Sequence, residues 1–226
     1  MVAEFDVLMR LLIVNPNTSE ATNRRIRNIA EPMVNSPDDV KVVSADSGIE
    51  LIETVEQSKA TEPAVLSLIE ARHHEADVII IAAFSDPGLL AAQQIAGCPV
   101  FGISQAAMSV AAQSANRFAI ITVGAALRDA IQQNAKIYGY GDKLASVRLL
   151  PWTVAQVSAD PPAHRAAFFE ACEQAVVEDR VGAVIIGGGP LSGVADAIAD
   201  QLTVPVLDGV RCAVQLAINV GLENGS

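Results

Sequence analysis

One stretch of sequence, which occurs twice, constrains the fold of this chain more than any other feature. Residues 78–90 read VIIIAAFSDPGLL, an unbroken apolar run that closes in turn and helix-start residues. Residues 183–195, AVIIGGGPLSGVA, have the same form about 105 positions later. An apolar run without alternation is typical of a strand covered on both faces, as in a parallel sheet. We therefore expect two similar corners, each made of a buried strand and its following turn.

The same spacing recurs elsewhere in the chain. Leu12 in LLIVN and Ala119 in FAIITV are 107 positions apart, and Cys98 in CPVFG and Val204 in VPVLD are 106 apart. Strands that alternate with helices give parallel sheets with right-handed crossovers. The sequence therefore predicts an α/β fold with two pseudo-symmetric lobes, each a parallel sheet flanked by helices, with the active-site cleft between them. The predicted lobes are residues 9–104 and 105–209, and a last helix, 210–221, is expected to pack on the first lobe.

Composition excludes several classes of function. The 226 residues are 51% hydrophobic and carry a net charge of −11, which argues against a nucleic-acid partner. No apolar run reaches the roughly 18 residues that a membrane span requires. Residues 1–8 have no basic region typical of a signal peptide and are interpreted as a short extension. Three cysteines without C-x-x-C spacing indicate a reduced, cytoplasmic protein.

Local patterns predict the remaining elements. Residues 46–58 have no clean period and are interpreted as a long loop of the kind that contacts substrates. Helices are expected over residues 62–74 and 194–200, among others. The three histidines are scattered, so no metal site is predicted. The glycine turn at 187–193 lacks G-x-G-x-x-G spacing, so no nucleotide cofactor is predicted either.

Polar residues at the predicted strand ends are the candidate site, because open α/β sheets bind ligands there. Asn15 and Asn17 present amides to a ligand, or else form a turn and cap a helix. Ser85 and Asp86 offer a hydroxyl and a carboxylate, and Asp86 is equally an N-cap candidate. Asp208 either positions a ligand or caps the last helix.

Three further features belong to the predicted cleft. Ser104 and Thr122 end strands and either line the cleft or act as plain caps. The glycine run Gly187–Gly189 lets a ligand approach the backbone closely, since no Cβ intervenes. We expect a substrate oxygen on the Gly188 and Gly189 amides.

Several motifs together resemble the aspartate/glutamate/hydantoin racemase superfamily, most closely its hydantoin racemase and allantoin racemase branch. The resemblance covers nearly the whole chain from Met9, and its most specific parts are the DPGL block at 86–89 and the VPVLDGV block at 204–210. It implies two lobes with a site between them, a small ureide or carboxylate substrate, no metal or organic cofactor, and a homo-oligomer.

The resemblance also implies a pair of cysteines, one from each lobe, that exchange a proton on opposite faces of the substrate carbon. This sequence has Ala83 and Gly188 at those two positions. Neither residue is ionisable, so two-thiol racemisation cannot run here. The predicted catalytic residues are Ser85, Asp86 and Asp208. The predicted substrate-binding residues are Asn15, Asn17, Ala83, Phe84, Ser104, Thr122, Gly188, Gly189 and Pro190.

Three readings of the function follow. The chain is an enzyme of this fold with cysteine-independent chemistry such as lyase or hydrolase chemistry, a racemase or isomerase with a non-cysteine base, or a non-catalytic protein that binds a small molecule in the same pocket. The polar motifs at both corners favour an enzyme.

Overall fold

The computed structural model describes residues 9–36 and 39–224; the predicted N-terminal extension lies outside the described residues. In this part of the chain, eight strands form two four-stranded sheets. The strands are β1 (Leu11–Asn15), β2 (Val40–Ser44), β3 (Val78–Ile81), β4 (Val100–Gly102), β5 (Phe118–Thr122), β6 (Leu144–Leu149), β7 (Ala183–Ile186) and β8 (Val206–Asp208). The α-helices are α1 (Glu20–Ala30), α2 (Val55–Arg72), α3 (Leu89–Ile95), α4 (Ile103–Ser114), α5 (Arg128–Ile137), α6 (Val154–Ala159), α7 (Pro161–Glu178) and α8 (Gly209–Asn224).

The two sheets have the same topology. Their strand orders are β2-β1-β3-β4 and β6-β5-β7-β8, and every neighbouring pair is parallel. Leu12 of β1 lies beside Ile79 of β3, and Ala119 of β5 lies beside Val184 of β7, so the matched motifs occupy matched places. The predicted α/β fold with two pseudo-symmetric lobes is confirmed.

The apolar runs form the central strands because both of their faces are covered. One buried cluster joins the two lobes and includes Ile13, Met108, Phe118 and Ile185. Separate clusters cover the outer faces of the sheets, under α2 in the first lobe and α7 in the second. Helix α8 packs against α1 and α4. Because the strands are parallel and the core is shared, the carboxyl ends of β3 and β7 lie at one common cleft.

The structure corrects three local predictions. Helix α2 begins at Val55, so the loop predicted over 46–58 is shorter and the helix predicted over 62–74 starts earlier. Residues 194–200 form no α-helix; hydrogen bonds such as Ala197 N–H to the Val194 oxygen make a series of tight turns instead.

None of the helices in the described ranges combines the length and apolar character needed to cross a bilayer.

Candidate active site

A pocket with about 500 Å³ of empty space lies between the lobes, where β3 and β7 end. Ala83, Phe84 and Ser85 form the first-lobe wall, and Gly188 and Gly189 form the second-lobe wall. The other lining residues are Asn17, Ile52, Thr122, Val123, Leu127, Ile131, Val154, Gly187, Pro190 and Leu191. The pocket therefore contains eight of the twelve site residues predicted from sequence, all except Asn15, Asp86, Ser104 and Asp208.

Asn17 carries an amide group oriented by its neighbours. Its Oδ1 accepts hydrogen bonds from the Asn15 side chain at 3.0 Å and from the Ser19 N–H at 3.0 Å. Asn15 is fully buried and also donates to the Asn23 side chain at 2.8 Å. The Asn17 Oδ1 faces the turn, and the Asn17 Nδ2 has no hydrogen-bond acceptor among the described residues. Asn15 is thus a support for Asn17 rather than a part of the pocket wall.

Two hydroxyl side chains lie in the pocket wall, those of Thr122 and Ser85. The Thr122 hydroxyl donates to the Gly187 carbonyl oxygen at 2.6 Å and so fixes the start of the glycine turn. The Ser85 Oγ lies 2.7 Å from the Ser58 hydroxyl, with which it forms a hydrogen bond. The backbone carbonyl oxygen of Ser85 accepts a hydrogen bond from the Asn134 side chain at 3.0 Å. The two serine hydroxyls thus share one hydrogen bond, which leaves one hydroxyl hydrogen of the pair for a ligand.

Asp86 lies beneath the pocket and caps a helix. Its carboxylate accepts from the N–H groups of Ser104 and Gln105 at 3.1 and 2.8 Å and from the Tyr138 hydroxyl at 2.9 Å. Burial raises the pKa of the Asp86 carboxyl to about 7, while these three donors oppose the rise. Ser104 is fully buried in the first turn of α4, so neither residue lines the pocket.

Asp208 has the corresponding role in the second lobe. It accepts from the N–H groups of Val210 and Arg211 at 2.8 and 3.1 Å, at the start of α8, and from the Gly193 N–H at 3.0 Å. Burial raises the pKa of this carboxyl as well. Both predicted catalytic carboxylates are therefore engaged by helix starts and do not line the pocket.

The three cysteines also lie away from the pocket. Burial raises the pKa of the Cys172 and Cys212 thiols to about 12. Burial also raises the pKa of the Cys98 thiol above its ordinary value. A nucleophilic or basic cysteine needs its thiolate form. None of the three lines the pocket, and at neutral pH all three are thiols.

The glycine turn is shaped by contacts within the protein. A Cβ at Gly189 would lie 2.6 Å from the Ala82 carbonyl oxygen, so the missing side chain makes room for the first lobe. Gly188 has a φ of +140°, which L-residues with a side chain rarely adopt. Within the described residues the N–H groups of Phe84, Ser85, Gly188 and Gly189 donate no hydrogen bond, and all four residues lie in the pocket wall.

The chemical character of the pocket follows from these contacts. Its walls offer N–H groups, one amide and one free hydroxyl, but none of the lining side chains is ionisable. Nor do the described residues contain a group of three His, Cys, Asp or Glu side chains that could hold a metal. Such a site can donate hydrogen bonds to oxygens and pack against an apolar substituent.

Most of the apolar side chains in the pocket wall were not predicted from the sequence. Ile52 comes from the loop before α2, Leu127 ends the short 3-10 turn before α5, and Ile131 lies in the first turn of α5. The signal for Ile52 was present, because its loop was predicted to contact substrate. For Val154 the signal was the helix start at Thr153, where Thr153 and Gln156 form a capping box.

Known proteins resemble this chain in sequence and in fold. A sequence profile of the Asp/Glu/Hydantoin racemase family matches residues 11–217. The hydantoin racemase of Pseudomonas sp. (strain NS671) is 30% identical over 210 residues, 92% of this chain and 84% of that protein. The allantoin racemase of Klebsiella pneumoniae superposes with a TM-score of 0.89 at 29% identity, over 96% of this chain and 89% of the other. That of Pseudomonas fluorescens gives 0.87 at 27% identity, over 96% and 92%.

Proposed function

Because the chain belongs to the Asp/Glu/hydantoin racemase family, we propose that it inverts the configuration of a small ureide in the inter-lobe pocket by cysteine-independent chemistry. Its relatives place it among enzymes of the racemase and isomerase kind. The observation that carries the finer proposal is the pocket wall, which holds hydrogen-bond donors and apolar groups but no ionisable side chain. The predicted homo-oligomer and cytoplasmic location stay predictions.

The uncharged wall favours a ureide over an amino acid or a dicarboxylate. Burying a charge without a partner costs far more than burying a hydrogen-bonded neutral group. A ureide ring is neutral at pH 7, and its carbonyl oxygens match the free N–H groups at Phe84, Ser85, Gly188 and Gly189. Its substituent would contact the apolar side chains of Ile52, Leu127 and Ile131.

The same donors suggest how the barrier to proton loss is lowered. Removing the proton from the carbon next to a carbonyl group places negative charge on the carbonyl oxygen. Donors aimed at that oxygen stabilise the transition state, and one such donor contributes about 3–4 kcal/mol in a water-excluded site. The Asn17 amide and the turn N–H groups supply this stabilisation in our proposal, and the Ser85 hydroxyl orients the ring.

The base is then water or hydroxide. The C–H bond breaks, the proton passes to solvent, and the planar enolate accepts a proton from solvent on either face. Because the wall holds no resident base, the rate should rise continuously with pH. A paired acid and base in the protein would instead give a bell-shaped profile.

Proton NMR in D₂O tests the proposal. A panel of 5-substituted hydantoins, allantoin, aspartate, glutamate and substituted malonates is followed for exchange at the acidic carbon, with protein-free samples as the baseline. We expect catalysed exchange of ureides only, preserved in a folded variant in which Cys98, Cys172 and Cys212 are all replaced by alanine. Asn17→Ala, which removes a donor to the developing oxyanion, should lower the rate about a hundred- to thousandfold, and Ser85→Ala, which removes an orienting contact, should lower it less.

Three results would contradict the proposal in different ways. Loss of exchange in the cysteine-free variant, with its circular dichroism unchanged, would show that a cysteine takes part. Exchange of aspartate or glutamate in preference to ureides would show that the uncharged wall does not select the substrate. New product signals without exchange would instead favour lyase or hydrolase chemistry.

A further inference from the structure

A second cavity lies between the lobes, on the other side of the glycine turn. It has about 500 Å³ of empty space open to solvent. Arg25 of α1 lines it from the first lobe, and Pro161, Pro162 and Arg165 of α7 line it from the second. The floor is the turn that follows the active-site glycines, from Ser192 to Val194 with Ala197. The lining contains two arginines and no acidic side chain.

Arg25 is a half-buried cation without a counter-ion. Its Nη1 and Nη2 donate to the Ser158 hydroxyl at 3.0 Å and to the Ser158 carbonyl oxygen at 2.6 Å, which fixes the plane of the guanidinium group. Burial and the neighbouring Arg24 lower its pKa, and no carboxylate raises it. A buried charge without a partner is costly, and an anion would relieve that cost.

Arg25 and Arg165 are two of the six arginines, out of eleven in the sequence, that form no ion pair among the described residues. Acidic residues outnumber Lys and Arg by 26 to 15, and five other arginines form ion pairs, at positions 10, 27, 72, 148 and 211. Among the described residues, neither Arg25 nor Arg165 has a carboxylate within ion-pair distance. Two uncompensated arginines therefore share one concave surface.

Ser192 adds a neutral donor to the same cavity. The residue is only 9% exposed, and its hydroxyl has no hydrogen-bond partner within the described residues. Its N–H is satisfied by the Gly189 carbonyl oxygen at 3.1 Å, so the hydroxyl alone remains free. The Ser192 hydroxyl is not one of the fully buried unpaired polar atoms, so it reaches solvent in the cavity wall and can donate to an oxyanion there.

We propose that this cavity binds a small oxyanion, a carboxylate or a phosphate, through the Arg25 and Arg165 guanidinium groups and the Ser192 hydroxyl. Guanidinium groups recognise both kinds of anion through paired N–H donors. The site is separate from the active-site pocket, and the two share the turn that runs from Gly187 to Val194. The proposal does not depend on the substrate of the active site.

Isothermal titration calorimetry with inorganic phosphate, and separately with succinate, tests the proposal at constant ionic strength held with chloride. We expect saturable 1:1 binding of at least one anion by the wild type. The Arg165→Gln and Ser192→Ala variants should each weaken it at least fivefold, and the Arg25→Gln/Arg165→Gln variant should abolish it. Arg128→Gln, an exposed arginine outside the cavity, is the matched control and should bind as the wild type does.

The two titrants distinguish the sources. Tighter binding of phosphate identifies a phosphate site, and tighter binding of succinate identifies a carboxylate site. Circular dichroism checks that each variant is folded, and the Arg165 and Ser192 variants keep the test valid if loss of Arg25 disturbs its contact with Ser158. The proposal is wrong if neither anion binds, or if the Arg165→Gln and Ser192→Ala variants bind both as tightly as the wild type.

Discussion

In each lobe a buried aspartate connects the turn after the third strand to the helix after the fourth strand. The aspartate belongs to the turn in the first lobe and to the helix start in the second. In the first lobe, Asp86 from the turn after β3 caps α4, the helix that follows β4. In the second lobe, Asp208 at the end of β8 caps α8 itself and accepts from the Gly193 N–H in the turn after β7. Gly102 and Asp208 are 106 positions apart, and Asp86 and Gly193 are 107 apart. Carboxylate and glycine have exchanged places.

The exchange shows what the pseudo-symmetry maintains. Both lobes need a buried acceptor that ties the turn after the third strand to the helix after the fourth. Either partner can supply it, provided that the other leaves room. A Cβ at Gly102 would overlap the Asp86 carboxylate. The two aspartates are therefore interpreted as structural, which leaves the inter-lobe pocket to neutral donors.

The largest predicted effect comes from moving the first-lobe carboxylate from position 86 to position 102, the position that corresponds to Asp208 in the second lobe. Asp86→Gly leaves buried donors unpaired and should lower the free energy of unfolding by about 2–4 kcal/mol. Gly102→Asp should cost at least about 3 kcal/mol, because it crowds a second carboxylate against Asp86. In the double variant the new carboxylate can cap α4 as Asp208 caps α8. We expect the free energy of unfolding of the double variant to be at least about 2 kcal/mol higher than the sum of the two single effects predicts.

Urea unfolding of the four proteins measures this coupling. Asp86 also has a φ of +47°, which glycine adopts more easily, so the double variant loses some backbone strain as well. Strictly additive single effects would mean that the two corners are not interchangeable.

The next prediction concerns pH and compares the two carboxyls directly. Asp86 has a folded-state pKa of about 7, above its ordinary value of 3.8, so the native state binds more protons between these values. Its contribution to stability is complete below about pH 4 and is lost as the pH rises to about 7, with a slope of up to about 1.4 kcal/mol per pH unit. Asp86→Asn should flatten that slope.

Urea unfolding at intervals from pH 4 to pH 8 checks this prediction. Asp208→Asn is the matched variant; its slope should change in the same direction, because burial raises that pKa too. Curves for the wild type and Asp86→Asn that stay parallel would mean that the Asp86 carboxyl ionises as it does in solution.

The repeated motifs were enough to predict the lobes, the central strands and most of the pocket wall. A strand end followed by polar residues locates the site in a parallel α/β fold, so Asn17, Ser85 and Gly188 could be named from sequence. The roles of Asp86 and Asp208 could not be decided there. A carboxylate at a helix start can serve a ligand or cap the helix, and only the positions of the donors distinguish these uses.

Two missed helix starts carried a signal in the sequence. Thr54 with Gln57 and Thr153 with Gln156 form capping boxes at α2 and α6. This pairing marks a helix start even where the apolar pattern is weak. The two capping boxes predict the start of α2 and the presence of α6, whose first residue, Val154, lies in the pocket wall.

The smallest effect compares the two positions where the family resemblance implies cysteines. Ala83 already has a Cβ in the pocket wall, so Ala83→Cys should change the free energy of unfolding by less than about 1 kcal/mol. Gly188→Cys must place a side chain at a φ of +140°, with its Cβ 3.2 Å from the Leu191 Cγ, and should cost about 1–3 kcal/mol. Urea unfolding under reducing conditions measures both, with Gly188→Ala as the control that adds a Cβ without a thiol. If Gly188→Ala and Gly188→Cys are both as stable as Ala83→Cys, the turn can rearrange to accept a side chain. The second corner would then be as open to a thiol as the first, and the absence of a cysteine there would have no origin in the backbone.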